Sequence, residues 1–199
     1  MNIRCDCGHV RAELPVFPKN TPGRLVCYCD DCQTYLHFLG RADLLDKNGG
    51  TEIIPVYPAD VRLQEGQEHL RCTRLAPSGM FRFSTTCCNS PIGNTDSKRP
   101  WFGVFYRAFT VEDPNYLSQM LGPVRSSIMG RYAKGTQPPG TPQTFDFKAF
   151  RTVMPFIVKG KIGGKARPSP VFGADGTPVV APHALTAEER LAARARAGF

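Results

Sequence analysis

The chain has 199 residues, 41% of them hydrophobic and 21% charged, with a formal net charge of +8. That length fits one domain with extensions or at most two small ones, and the composition excludes a disordered polymer. With 19 Gly and 18 Pro and no apolar run long enough to span a bilayer, a strand-rich, loop-rich fold is expected rather than a helix bundle or a membrane span.

The N-terminus, Met1-Asn2-Ile3-Arg4-Cys5, carries no apolar segment behind a basic start. It therefore reads as lacking a secretory signal, and a soluble, cytoplasmic protein with reduced thiols is expected. From His9 to Leu14 the side chains Val10, Ala12 and Leu14 alternate, which predicts a strand ended by Pro15. Leu25 to Cys29 reads as a second strand, followed by a short helix through Tyr35, Leu36, Phe38 and Leu39, capped by Asp30 or Asp31 and stopped at Gly40. Glu52 to Tyr57 and Val61 to Leu63 are short strands broken by Pro55 and Pro58. His69 to Leu75 and Met80 to Ser84 form a hairpin across Pro77-Ser78-Gly79, and Phe102 to Tyr106 is a further strand.

Asp113-Pro114 opens a helix through Tyr116, Leu117, Met120 and Leu121. Gly135 to Pro142 is a loop. Phe145 to Lys161 predicts a helix kinked or broken at Pro155, with its Phe and Val side chains facing the core. Thr186 and Glu189 make a capping box before a last helix rich in Ala and Arg. The expected class is mainly β, with antiparallel sheets and a few peripheral helices in the C-terminal half.

All eight cysteines lie between Cys5 and Cys88. Residues 1–110 are therefore expected to form a zinc-binding β domain, with residues 111–199 an extension packed on it. From residue 151 onward eight basic side chains stand against three acidic ones. No aromatic-interleaved basic patch accompanies them, so the tail reads as a solvated surface and carries no strong nucleic-acid signal.

The cysteines fall into clusters: Cys5-x-Cys7-Gly8, then Cys27-x-Cys29-x-x-Cys32, then Cys87-Cys88, with Cys72 alone. Closely spaced thiols in a reducing compartment mean metal before disulfide, and zinc takes about four soft ligands in a tetrahedron. A C-x-C bridge would be strained, and the glycine behind Cys7 supplies the positive φ that a metal-binding turn needs. Cys27, Cys29 and Cys32 can fill three corners, leaving the fourth to water, a substrate or Cys72. Cys5 and Cys7 need distant partners, for which Cys87 and Cys88 are the candidates. Adjacent cysteines rarely both bind one ion, which favours Cys88.

This order and spacing, with Ser90-Pro91-Ile92 behind the last pair, resembles the glutathione-dependent formaldehyde-activating enzyme family, which includes centromere protein V. The resemblance covers roughly residues 3 to 95, and the longer chain looks like a longer branch of that family. It implies a β-tent of twisted antiparallel sheets with two zinc positions. The structural one would use Cys5, Cys7 and the late knuckle at Cys87 and Cys88. The second would use Cys27, Cys29 and Cys32, and is linked in the family to glutathione adducts and carbon–sulfur lyase activity. Departures are Thr85 and Asn89 where the family's late Cys-x-x-Cys-Gly has cysteine and glycine, and Tyr28 where histidine is common.

Three thiolates make zinc a weak Lewis acid, suited to holding a substrate sulfur rather than to ionising water. The expected function is therefore carbon–sulfur lyase chemistry on a small thiol adduct. The alternative is a non-catalytic, zinc-stabilised binding module with a basic surface for an acidic partner. Of the nearby polar residues, Asp30 and Asp31 read as helix caps and His37 as a non-catalytic histidine, so no catalytic residue is assigned. Seven ligands and one open position favour the enzyme, whereas eight ligands in two closed sites favour the module. Cys72 decides between them.

Overall fold

The computed structural model describes residues 1–17, 21–110 and 119–199. Its architecture follows from the runs that are apolar on both faces, which must be covered from both sides. These runs are β4 (Thr51–Val56) and β9 (Phe102–Phe105). They pair antiparallel at the middle of an eight-stranded sheet. Beside β4 lies β3 (Arg24–Cys27). Beyond β9 come β8 (Pro91–Thr95), β7 (Phe81–Thr85) and β6 (Leu70–Arg74), all antiparallel. The β6–β7 pair is the hairpin expected from the sequence. The two outer strands come from the C-terminal half: β11 (Val124–Ile128) runs parallel to β3, and β12 (Pro182–Ala184) runs parallel to β6. This sheet is thus mixed, where an antiparallel one was expected, because both edge strands return along the sheet from distant segments.

A second, wholly antiparallel sheet has the order β10-β1-β2-β5. Its strands are β1 (Asn2–Arg4), β2 (Arg11–Glu13), β5 (Arg62–Glu65) and β10 (Phe109–Thr110). Ile3, Val10, Ala12, Leu14 and Phe109 from this sheet region meet Ile54, Val56, Phe83, Phe102 and Val104 of the larger sheet in the main core. On the opposite face of the larger sheet, α1 (Asp30–Phe38) buries Tyr35 and Leu36 against Leu25, Ile53 and Phe105. Alternation assigns the faces: Ile53 and Phe105 go to the helix side, Ile54 and Val104 to the sheet side.

Pro55 does not break β4. β3 pairs with β4 only as far as Ile53, so the missing amide falls beyond the last β3–β4 pair, where the Thr21 hydroxyl donates to the Pro55 carbonyl. The cap of α1 is neither aspartate but Cys29, whose Sγ accepts from the Cys32 amide. Both aspartates sit instead in the first turn, where negative charge suits the helix dipole. The helix expected from Asp113 falls mostly on residues 111–118, outside the described residues, while residues 119–121 are helical.

The C-terminal half supplies α2 (Phe147–Ile162) and α3 (Ala187–Arg196). α2 continues through Pro155, which lies on the exposed side, where water can serve the carbonyl freed four residues back. Its inward side chains are Ala149, Phe156 and Gly160, with Val153 packed against the second core, so the expected Phe and Val row faces the core only in part. Phe156 stacks on Tyr57 with ring centroids 4.1 Å apart, and the Tyr57 hydroxyl donates to the Phe156 carbonyl. α3 starts at the capping box expected from Thr186 and Glu189 and packs against α1, where Arg194 reaches Asp30 at 2.7 Å. Among the described residues no helix is long and apolar enough to cross a membrane.

Gly160 marks how closely α2 is seated. A β-carbon there would lie 2.4 Å from the Tyr57 ring and 2.7 Å from Pro100. Gly→Ala in an exposed helix gains up to about 1 kcal/mol. Here overpacking is expected to win, so Gly160→Ala should cost about 1–3 kcal/mol in chemical denaturation. A stability gain would show that α2 does not rest on Tyr57 and Pro100.

Candidate metal centres

The first cluster forms where two turns from different sheets meet. The turn between β1 and β2 carries Cys5 and Cys7, and the turn between β7 and β8 carries Cys87 and Cys88. Their four Sγ atoms all lie within 4.8 Å of one another. Cys5 is 3.5 Å from Cys7 and 3.9 Å from Cys87, Cys7 is 3.2 Å from Cys87, and Cys87 is 3.9 Å from Cys88. Both adjacent cysteines therefore join the group, although the sequence favoured Cys88. In the turn at residues 86–88 consecutive side chains do not alternate across a pleat, so the two sulfurs can face one centre.

The first turn is held by Gly8, whose φ is +81°, with its amide donating to the Cys5 carbonyl. No atom would crowd a β-carbon there, so the backbone angle rather than space demands glycine. The late turn closes through Asn89 at φ +54°, a left-handed angle that asparagine tolerates better than most residues. That explains how Asn89 stands where a knuckle glycine is expected. Thr85 is not a ligand substitute: its hydroxyl lies 3.3 Å from Cys88 Sγ, and the Ser90 hydroxyl lies 3.2 Å from the same sulfur. Ser90 also accepts from the Asp6 amide, which ties the two turns directly.

The second cluster is local. Cys27 ends β3, Cys29 caps α1 and Cys32 lies in its first turn, with all three Sγ atoms within 4.8 Å of one another. Cys27 and Cys32 are buried and Cys29 partly exposed. Cys72 does not join them. It lies on β6, 1% exposed, within the main core, where burial pushes its thiol up to about 12. Among the described residues no fourth Cys, His, Asp or Glu completes the group.

The electrostatics of the two clusters differ. In the first, burial pushes Cys5 up. Burial opposes ionisation of Cys88 too, but hydrogen bonds from Ser90, Thr85 and the Cys7 amide outweigh it and hold Cys88 down to about 5. In the second cluster, contact with Cys29 drives Cys27 up, contact with Cys27 drives Cys32 up, and burial adds to both. Cys29 is lowered by Cys27, but Cys32 and burial outweigh this and raise it. Three thiols in contact, two of them buried, oppose one another's ionisation, and a bound divalent ion would reverse that balance. The geometry fits one: tetrahedral zinc with bonds of about 2.3 Å places its sulfurs about 3.8 Å apart, inside the range of distances in the first cluster.

Neighbouring polar residues divide clearly. Asp30 is engaged by Arg194. Asp31 is partly exposed, 3.6 Å from the buried Arg82 guanidinium, whose charge favours the Cys32 thiolate. Beside Arg82, the side chains of Tyr35, Thr73 and Ser84 are fully buried. His37 lies a full turn beyond the cluster, lowered by burial and by Arg196 and Lys134. Sequence reasoning missed Arg82, which is brought to α1 only by strand pairing. It also missed His9, whose Nδ1 lies 3.2 Å from Cys7 Sγ, although its place two residues after Cys7 was a visible signal.

The structure is thus a mainly β protein with two cysteine clusters that could hold metal ions. The chain belongs to the DUF6151 family, a family of unknown function whose profile matches residues 1–182. No curated protein sequence matches it. A crystal structure of a Rhodobacter sphaeroides protein, a structural genomics target, is similar with a TM-score of 0.42 and 18% identity, over 62% of this chain and 97% of that one.

The two clusters should respond differently to loss of a thiol. Metal binding in a site that joins distant segments is itself folding free energy, on the order of 10 kcal/mol in zinc-finger peptides. Cys5→Ser or Cys88→Ser is therefore expected to lose one ion and the cooperative melt together. Cys29→Ser is expected to lose up to one ion while the fold persists, since that cluster ties down one strand–helix junction. Metal analysis with circular dichroism checks both. Parent-like melting of Cys5→Ser and Cys88→Ser would mean that the first cluster is not structural.

Proposed function

We propose that this chain is a zinc protein in which Cys5, Cys7, Cys87 and Cys88 hold a structural ion. In this reading Cys27, Cys29 and Cys32 hold a second ion that accepts a small thiol or thiol adduct for carbon–sulfur lyase chemistry. The observation that carries the proposal is the three-thiol group without a fourth protein donor among the described residues, with Cys72 buried elsewhere. The resemblance to glutathione-dependent formaldehyde-activating enzymes supports the same assignment. Zinc on three thiolates is a soft centre that takes a fourth sulfur and keeps it ionised. Because the thiols must stay reduced, a reducing compartment such as the cytoplasm fits best.

The protein's own residues supply the rest. The amides at the start of α1 face the cluster, and the Cys32 amide donates to Cys29 Sγ at 3.3 Å, which favours negative sulfur. In the direction of C–S bond formation, the thiol gives up its proton and its sulfur bonds to a carbonyl carbon. The carbonyl π pair then moves to oxygen, which takes a proton. Cleavage runs the same transfers backwards. In this reading Asp31, partly exposed at the start of α1, would carry that proton. The buried Arg82 beside Asp31 adds positive charge that favours ionised sulfur at Cys32.

Cobalt substitution tests the reading. Titration with 2-mercaptoethanol or glutathione should saturate and shift the cobalt spectrum of the second site toward four-sulfur coordination, unchanged in Cys72→Ala. A parent that shows four sulfurs at both metals without added thiol, or no response to thiol, sinks the enzyme reading and leaves the zinc-stabilised binding module.

A further inference from the structure

The exposed face of α2 is apolar where a surface helix is normally polar. Phe147, Phe150, Met154, Val158 and Ile162 recur three or four residues apart, a single stripe of a helix. The stripe lies opposite Ala149, Phe156 and Gly160, which anchor the helix to the body of the protein. Phe147 is 72% exposed, Phe150 46%, Val158 48% and Ile162 83%. Phe145, just before the helix, is 47% exposed. Lys148, Arg151, Lys159 and Lys161 flank or interrupt the stripe, and no acidic residue lies between Phe147 and Ile162.

We propose that α2 is a membrane-surface helix that lies in the headgroup region of an anionic bilayer. The sixteen residues of α2 form a rod of about 24 Å, too short and too charged to span. An apolar row flanked by Lys and Arg matches a helix lying in the interface plane. The apolar side chains enter the acyl boundary, while the Lys and Arg stems reach outward to lipid phosphates. Charge selects this occupant over a second copy of the chain, since α2 against α2 would set four cations facing four cations without a countercharge. The inference is independent of the thiol chemistry, because α2 contributes no residue to either cysteine cluster.

Co-sedimentation of the full chain with vesicles of phosphatidylcholine, with and without phosphatidylserine, tests the proposal. Binding is expected only with phosphatidylserine, and it should weaken as salt rises. The double variant F147S/F150S should bind about tenfold or more weakly while melting like the parent, because both rings are exposed. K148E/R151E should lose the preference for phosphatidylserine. Failure to sediment with anionic vesicles overturns the proposal. So does unchanged binding by F147S/F150S, which would place the lipid contact elsewhere. A lipid-free dimer or a complex with an acidic protein that F147S/F150S abolishes, without vesicle binding, would make the face a protein interface instead.

Discussion

The turns that carry Cys5 and Cys7 and, about eighty residues later, Cys87 and Cys88 meet where the two sheets join. The smaller sheet has strands of two to four residues, too little pairing to persist alone. The sheet is joined to the larger one through the main core and at the Cys5, Cys7, Cys87 and Cys88 cluster. The Asp6 amide on Ser90 reinforces that joint, and Arg41 at 2.8 Å from Asp6 extends it to the segment behind α1. A metal ion there would contribute as much free energy as the whole domain retains on folding. Without one, four thiols crowd a partly exposed corner, where hydrogen bonds from Ser90, Thr85 and the Cys7 amide favour the Cys88 thiolate.

The second cluster works by opposite means. Its three sulfurs come from one strand end and one helix start, so its formation brings no distant parts together. Burial and mutual contact make it costly to ionise, while the helix dipole and Arg82 favour the charged form. The surrounding polar face needs the larger sheet: Arg82 on β7 and Thr73 on β6 pair across the hairpin, and Ser84 lies two residues along on the same side. That face meets α1 only because α1 crosses the sheet there.

The C-terminal half completes the scaffold. Its strands β11 and β12 occupy both edges of the larger sheet, and α3 locks against α1 through Arg194 and Asp30. α2 is anchored by a few close contacts around Phe156 and Gly160. That small footprint leaves Phe147, Phe150, Val158 and Ile162 exposed.

Local chemistry was legible in the sequence. Cysteine spacing named the members of both clusters, since the donors of the second are bound within one knuckle and those of the first stand beside turn residues. Alternation and turn residues located the β6–β7 hairpin, and Thr186 with Glu189 located the last helix, because capping and pleating act over a few residues. Tertiary structure alone decided the rest. Whether Cys72 completes the second site depended on which sheet face β6 presents, and neighbouring sequence does not encode that. Both Cys87 and Cys88 could join one cluster because a left-handed Asn89 turns the chain after them. The parallel edge strands, and which apolar side chains of α2 stay outside, were equally unreadable from pattern. An apolar stripe at helical spacing shows that one side of a helix wants cover, and only the fold decides which side receives it.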